Sequence, residues 1–503
     1  MPLGPVPAVS GAELEAGERA LVLDAAWASL TGALSSGVVL AAFAIALGAG
    51  PMVIGLLAAI PLLAQVAQLP AILLIERYRE RKRIGVIAIT ASRFVILAMA
   101  ALPFLTDRQA TLSLLVLAQA IISILVSAGS CSVNSWLHQL IPHARLGPFF
   151  SRRLLWGTLL GGAGSLAAGA FIDSRADGER LQAFAVAFGA AALAGFASSY
   201  YLARAPEPRM LPGEPAPSLL ATLRRPLQQP NFRRLLVFLA SWSVASNIAA
   251  PFITVYLMRQ LGYGLGIVTA LGVASQLASA FALYVWGRVS SDISNKGVLA
   301  VALPTYFLCT AALMLGDRPA QPQLALAILV VLHVALGAAN GGIGLAVGNL
   351  GLKLAPEREG TSYLAVIGIV SALAGGLAPL VGGSLAEWAQ DRELAFLVRW
   401  TSPTRTREVN VLGFQHWEFL FLLSAALGLY VLHALSRIQE EGQNDERLVI
   451  QHFAVEAART VTNLSSVAGA LGGLFPFRQL SRFGRMARGR RARGPEALEG
   501  ARE

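Results

Sequence analysis

Apolar residues run in long blocks along this chain, and short polar stretches punctuate them. The sharpest punctuation is Glu76-Arg77-Tyr78-Arg79-Glu80-Arg81-Lys82-Arg83. It separates an apolar run from Met52 to Ile75 from another between Ile84 and Leu105. Each run has about 20 residues or more, enough to cross a bilayer as a helix. A connection this rich in charge cannot sit in hydrocarbon. Lys and Arg collect on the cytoplasmic side, which orients every other segment.

The same pattern predicts spans near 25–48, 52–75, 84–105, 111–135, 154–173 and 181–203. After a polar stretch it predicts six more, near 235–258, 264–286, 297–315, 324–351, 362–387 and 417–436. The predicted organisation is a cytoplasmic segment (1–24), a six-helix bundle (25–203), a Pro-rich linker (204–234), a second bundle (235–436) and a cytoplasmic tail (437–503). The linker holds several prolines, which deny helix donors and stiffen the chain, with room for a short helix near Leu219–Arg225.

The halves resemble each other. Leu140-Ile141-Pro142-His143-Ala144-Arg145-Leu146-Gly147 precedes the fifth span, and Leu354-Ala355-Pro356-Glu357-Arg358-Glu359-Gly360 precedes the eleventh. Their glycines lie 213 residues apart. The loop Gly287–Lys296 stands at a similar offset from the loop after span 2. The expected fold is all-α and polytopic: twelve transmembrane helices in two bundles related by a parallel pseudo-twofold.

Composition agrees. The chain is 55% apolar and 14% charged, where a soluble domain carries about 25% charged residues. With the N-terminus inside, the inner loops and tail carry most of the cations, so both termini are expected in the cytoplasm. The lysines are Lys82, Lys296 and Lys353 among many arginines, and the Ala- and Gly-rich composition points to a bacterial cytoplasmic membrane. Cys131 and Cys309 fall inside spans, so no disulfide or metal framework is expected. No apolar h-region of a cleavable signal precedes the first span.

These features resemble the major facilitator superfamily. Six plus six spans, a polar central loop, a cationic loop between helices 2 and 3 and its echo between helices 8 and 9 carry the resemblance, over roughly residues 20–437. The family's helix 2–3 loop reads Gly-x-Leu-Ala-Asp-Arg-x-Gly-Arg-Arg. Glu76 and Arg77 match its acid–cation pair and Arg81 its basic end, whereas Ile72 and Arg79 stand where it has glycines. The second copy keeps Gly287 and Lys296, with its acid at Asp292. The family's intramembrane Arg on helix 4 is missing, and helix 3 offers Arg93 instead. The Gly-rich stretch Gly161–Gly169 is similar to the exporters' motif only in its glycines.

The resemblance implies a central cavity lined by helices 1, 4, 7 and 10. All four spans carry polar residues at helical spacing. Span 1 has Trp27, Thr31 and Ser35; span 4 has Ser123, Ser127, Ser130 and Asn134. Span 7 has Trp242, Ser243, Ser246 and Asn247; span 10 has His333 and Asn340. Such groups either face a cavity or hydrogen-bond between packed helices. Two readings stand for Arg93: an anion or carboxylate site, or a structural cation satisfied by carbonyls and helix neighbours. Glu76 is expected to meet the positive end of helix 11 near Thr361 in one state of a rocking protein and to lose it in the other.

No Asp or Glu lies well inside a predicted span; Asp24 sits at the edge of the first. Proton coupling has only Asp24, Asp173, Glu387 and Glu418 at span ends and His333 to draw on, and nothing else in the sequence supports it. No Gly-x-x-x-x-Gly-Lys-Ser/Thr motif occurs, so a built-in ATPase is excluded, and no clustered His, Asp or Glu suggests an enzyme. The expected activity is movement of a small organic solute by alternating access, with no cofactor or metal. The alternative is a transporter-shaped sensor or assembly platform. The expected state is a monomer in a lipid bilayer. In the tail, Ile450, Phe453, Ala457, Val461, Leu464, Ala468 and Leu471 recur at helical spacing before an Arg-rich end, which suits anionic lipids better than nucleic acid.

Overall fold

A computed structural model describes residues 3–7, 9–176, 178–210, 226–292, 294–317, 321–355, 360–402 and 405–440. Twelve helices in it are long and apolar enough to cross a membrane. In chain order they are α1 (Gly11–Ala46), α2 (Pro51–Tyr78), α3 (Arg81–Phe104), α4 (Arg108–Leu140), α5 (His143–Asp173) and α6 (Arg180–Arg204). The second six are α7 (Pro230–Gln260), α8 (Leu265–Gly287), α9 (Asn295–Gly316), α10 (Pro322–Lys353), α11 (Tyr363–Trp388) and α12 (Glu418–Ser436). The possible linker helix near Leu219–Arg225 and the tail helix lie outside the described residues.

Two starts differ from expectation. Helix α1 begins at Gly11, not near 25, because Ser10 and Glu13 form a capping box: Ser10 Oγ accepts from the Glu13 N–H, and the Glu13 carboxylate accepts from the Ser10 N–H at 2.8 Å. Helix α5 begins at His143, a little over ten residues before its apolar run. Apolar length reports only the part of a helix that hydrocarbon must cover. The polar turns that continue the helix are invisible to it.

The contacts repeat between halves. In the first, α1 packs on α5 and α6, and α3 on α4 and α6. In the second, α7 packs on α11 and α12, and α9 on α10 and α12. Across the halves α2 meets α11 and α5 meets α8, again equivalent helices. This is the predicted parallel repeat. Glycines allow the seams to close: a Cβ on Gly55 would lie 2.3 Å from the Pro379 carbonyl oxygen, and one on Gly383 would lie 2.9 Å from that of Pro51. In the Gly-rich stretch of α5, a Cβ on Gly164 or Gly169 would strike Leu30 of α1 or Thr269 of α8. Those glycines therefore serve close packing.

Helix α1 is interrupted near its middle. Ser36 is extended and Gly37 has φ +57°, a left-handed conformation that glycine adopts without strain. The long loop after α11 is an antiparallel hairpin of β1 (Glu393–Ser402) and β2 (Arg405–Gln415) with an irregularity between Phe396 and Leu397. We call its end of the molecule the hairpin face and the opposite end, where α6 and α12 finish, the terminal face.

Candidate functional site

A cavity of about 760 Å³ lies between the halves. Helices α1, α2, α3 and α4 supply most of its wall, and Ala250, Pro251 and Thr254 of α7 close it from the other half. Leu40, Ile54, Leu57, Ile89 and Ile122 give it an apolar lining. Polar groups of α4 also line it: Gln119, Ser123, Ser127, Ser130 and Asn134.

A buried charge cluster ends the cavity. Asp24 of α1 is 6% exposed. Its Oδ1 accepts a 2.7 Å hydrogen bond from Ser198 Oγ of α6, and its Oδ2 lies 3.6 Å from Arg153 Nη2 of α5. Arg93 of α3 is 7% exposed and lines the same cavity, fitting into space left by Gly195. Its Nε is buried with no hydrogen-bond partner, and so is Ser127 Oγ.

Two expectations change here. The carboxylate thought to be missing from the spans is Asp24, which the early start of α1 places inside a helix. Arg93 belongs to the cavity wall, although helix 3 was expected at the periphery. Arg153 was not singled out at all, since it stood just before the predicted fifth span. The early start of α5 is what brings it in.

The other nominated residues divide. Ser35, Ser130 and Asn134 line the cavity with Arg93. Ser35 also donates to the Thr31 carbonyl at 2.7 Å. Trp27 is not in the lining; its carbonyl accepts from Thr31 Oγ1. Trp242 packs against Tyr306 and Phe307 at ring distances of 4.9 and 5.7 Å, so its polarity serves α7–α9 packing. Asn247 faces a side cleft of about 340 Å³ bounded by α2 and α11. His333 is buried with Nδ1 2.8 Å from the Leu329 carbonyl, and Asn340 is exposed outside the cavity. The α10 stripe thus does not reach the cavity.

At the terminal face the loop residues divide between exposed and buried. Glu76 and Arg77 are exposed. Arg77 lies 5.8 Å from the centre of the Tyr78 ring. Arg81 is instead buried, at 3% exposure. Glu207, fully buried, accepts from the backbone N–H groups of Arg81 and Lys82 at 2.9 and 3.1 Å and from Arg81 Nε at 3.2 Å. It caps α3 from the segment leaving α6. Gly287 lies in open space, and Asp292 ends the helical stretch of α8.

The second half repeats this cap. Glu440, just beyond α12, accepts from the Asn295 N–H at 3.3 Å, from Asn295 Nδ2 at 2.9 Å and from the Lys296 N–H at 2.8 Å. Lys353 Nζ adds a contact at 2.9 Å. Lys296 Nζ donates to the carbonyls of Ser436 and Ile438. Burial raises the Glu440 pKa, but the donors from Asn295, Lys296 and Lys353 more than offset it, so the carboxyl sits below the usual range. A depressed carboxylate pKa stabilises the fold above the unfolded value, roughly 4.3, and that stability is lost as pH falls through the folded value. Melting temperatures of the parent and Glu440→Gln should therefore differ at neutral pH and converge as pH falls through the lowered folded value. A gap that stays constant through that range would refute the linkage.

The hairpin face is held across the halves. Asp173, at the end of α5, accepts from the backbone N–H groups of Leu265 and Gly266 at 3.0 and 2.7 Å, so it caps α8. Arg259 Nη2 of α7 donates to the Ala49 carbonyl at 2.8 Å. Among the described residues no group of His, Cys, Asp or Glu could hold a metal.

A family model for the Major Facilitator Superfamily matches residues 25–379. Among curated proteins, an MFS-type transporter of Aspergillus terreus is 28% identical over 27% of this chain and 23% of its own length. The efflux pump dotC of Dothistroma septosporum is 29% identical over 35% of this chain and 28% of its own. The matched segments thus span less than a third of these relatives. Solved structures align over more. The nucleoside transporter NupG superposes with TM-score 0.60 at 12% identity, covering 85% of this chain and 99% of NupG. A D-xylose–proton symporter gives 0.61 at 13% identity, over 85% and 98%. A bacterial homologue of the lysosomal transporter Spinster, inward-facing and unoccupied, gives 0.56 at 14%, over 89% and 98%. At these identities the structures share the fold.

Proposed function

The chain belongs to the Major Facilitator Superfamily, and from that premise we propose that it carries a small organic solute across the membrane by alternating access, without ATP. One observation supports this reading above the rest: among the described residues, hydrogen bonds between the halves lie at the hairpin face, with Asp173 on the α8 terminus and Arg259 on Ala49. The cavity lies behind that seal, and Glu76 at the terminal face is exposed. This is the arrangement of a transporter closed on one side and open on the other.

The cation distribution assigns the terminal face, with both chain ends, to the cytoplasm. The closed hairpin face is then external, and the state is inward-facing. The apolar periodicity and Arg-rich end of the tail favour an anionic inner leaflet, and a monomer suffices because the cavity is built within one chain. The bacterial assignment rests on composition alone; the curated relatives are fungal. Nothing in the described residues favours the sensor or platform alternative.

Spin labels on Glu76 (α2) and Leu352 (α10) would report the opening at the terminal face by pulsed dipolar spectroscopy. Removing a charged helix cap costs about 0.5–2 kcal/mol. Asp173→Asn should therefore shift the balance toward the outward-open state by roughly 2- to 30-fold, seen as a growing short-distance population. One unchanging distance in both proteins would remove the basis for alternating access.

A further inference from the structure

We propose that the cavity takes an amphiphilic organic anion, its oxyanion head held by Arg93 and Arg153 beside Asp24 and its apolar body against the aliphatic side chains that line the cavity. This rests on the transport reading above and adds the substrate class.

The argument begins with charge. Two guanidiniums and one carboxylate meet at the buried end of one cavity, an excess of one positive charge. Asp24 is already engaged by Ser198 through Oδ1 and by Arg153 through Oδ2. Arg93 feels the Asp24 charge but makes no direct ion pair with it, and its Nε is buried without a hydrogen-bond partner. A guanidinium taken out of water without a partner is costly, so a fold that keeps one beside a cavity reserves it for something that enters. Arginine's planar fork suits two oxygens of one head group.

A second, independent observation points the same way. Ser127 is 6% exposed, lines the same cavity from α4, and its Oγ is buried without a partner. Serines inside helices usually return their proton to a carbonyl one turn back, as Ser35 does here. Ser127 does not, and stays free to donate to a bound group. Beside these donors, Leu40, Ile54, Leu57, Ile89 and Ile122 give the same cavity an apolar lining. A small, fully hydrated anion would leave that lining unused. A compact aromatic or aliphatic acid fills both parts, and a cavity of about 760 Å³ has room for it.

The test uses the full chain in detergent and one scaffold with varied heads: 2-naphthoate, 2-naphthalenesulfonate, 2-naphthyl phosphate, the neutral 2-naphthamide and the cationic 2-naphthylmethylamine. Binding is read by thermal shift and by equilibrium fluorescence. The anions should raise the melting temperature, and the order among carboxylate, sulfonate and phosphate identifies the head. The amide and amine should bind at least about tenfold more weakly. Arg93→Gln should abolish that preference, whereas Arg93→Lys should keep part of it. Without ligand, Arg93→Gln should melt no lower than the parent, because it removes an unpaired buried charge. A structural, satisfied arginine would instead lose stability in that variant.

Equal binding of amide and carboxylate, or undiminished anion binding by Arg93→Gln, overturns the anion assignment and leaves the transport reading intact. No binding by any anionic probe also overturns it, and the spin-label distances then decide the transport reading separately.

Discussion

Replacing Asp24 by alanine should cost the protein roughly 3–5 kcal/mol, the range seen when one partner of a buried ion pair is removed. The reason is what remains. Arg153 keeps a guanidinium 19% exposed with no carboxylate, Arg93 keeps one 7% exposed, and Ser198 loses its acceptor. The cavity beside them admits solvent, so screening pulls the loss toward the lower end of that range. Tryptophan-fluorescence melting of the purified protein measures it. Adding Arg93→Gln to Asp24→Ala should restore much of the stability, because the surviving charge falls from two to one. The paired variants would then be strongly non-additive. Simple additivity, or an Asp24→Ala protein as stable as its parent, would mean that the cluster does not act as a unit.

That cluster was the part of the molecule least legible in the sequence, for an identifiable reason. Runs of apolar residues located all twelve helices and their repeat, since hydrocarbon imposes the same length on each. They could not show that α1 and α5 extend beyond the apolar run. The turns holding Asp24 and Arg153 were therefore assigned to loops. Yet a signal for α1 was present: Ser10 followed by Glu13 is a capping box, and it marks the helix start.

Cavity residues were legible only where a whole face was polar. The α4 stripe through Ser130 and Asn134 does meet the cavity. His333 and Trp242 do not, because one polar side chain satisfies itself within a helix or packs against a neighbour without needing a cavity. The hairpin left only a weak signal: Val409-Asn410-Val411 alternates, but Arg405–Glu408 are all polar and Leu412 breaks the period.

Replacing Glu207 by alanine should have an effect as large as that at Asp24, roughly 3–5 kcal/mol. Its carboxylate is fully buried and satisfies two orphan N–H groups of α3 as well as the Arg81 guanidinium. Arg81 in turn reaches the carbonyls of Ser135 and Pro208 and the Gln139 side chain. Trp136 Nε1 donates to the Pro206 carbonyl at 2.8 Å, and Val6 pairs with Glu207 and Arg209 through their backbones. One carboxylate thus pins the start of the linker to α3, α4 and the N-terminal segment. Its loss should lower the melting temperature and open the chain near Arg209 to limited proteolysis, while Glu207→Asp, too short to reach both N–H groups without adjustment, falls between. The repeat-related Glu440→Ala should cost less, since its lysine partner Lys353 is 55% exposed and solvent can replace it. Equal losses at the two sites would refute this ranking. The ordering follows because the two halves conserve the cap in the form of a bond, a carboxylate from beyond the sixth helix on the N-terminus of the third. The first half alone adds a buried arginine to it, so that half alone is left with an uncompensated charge when the cap is removed.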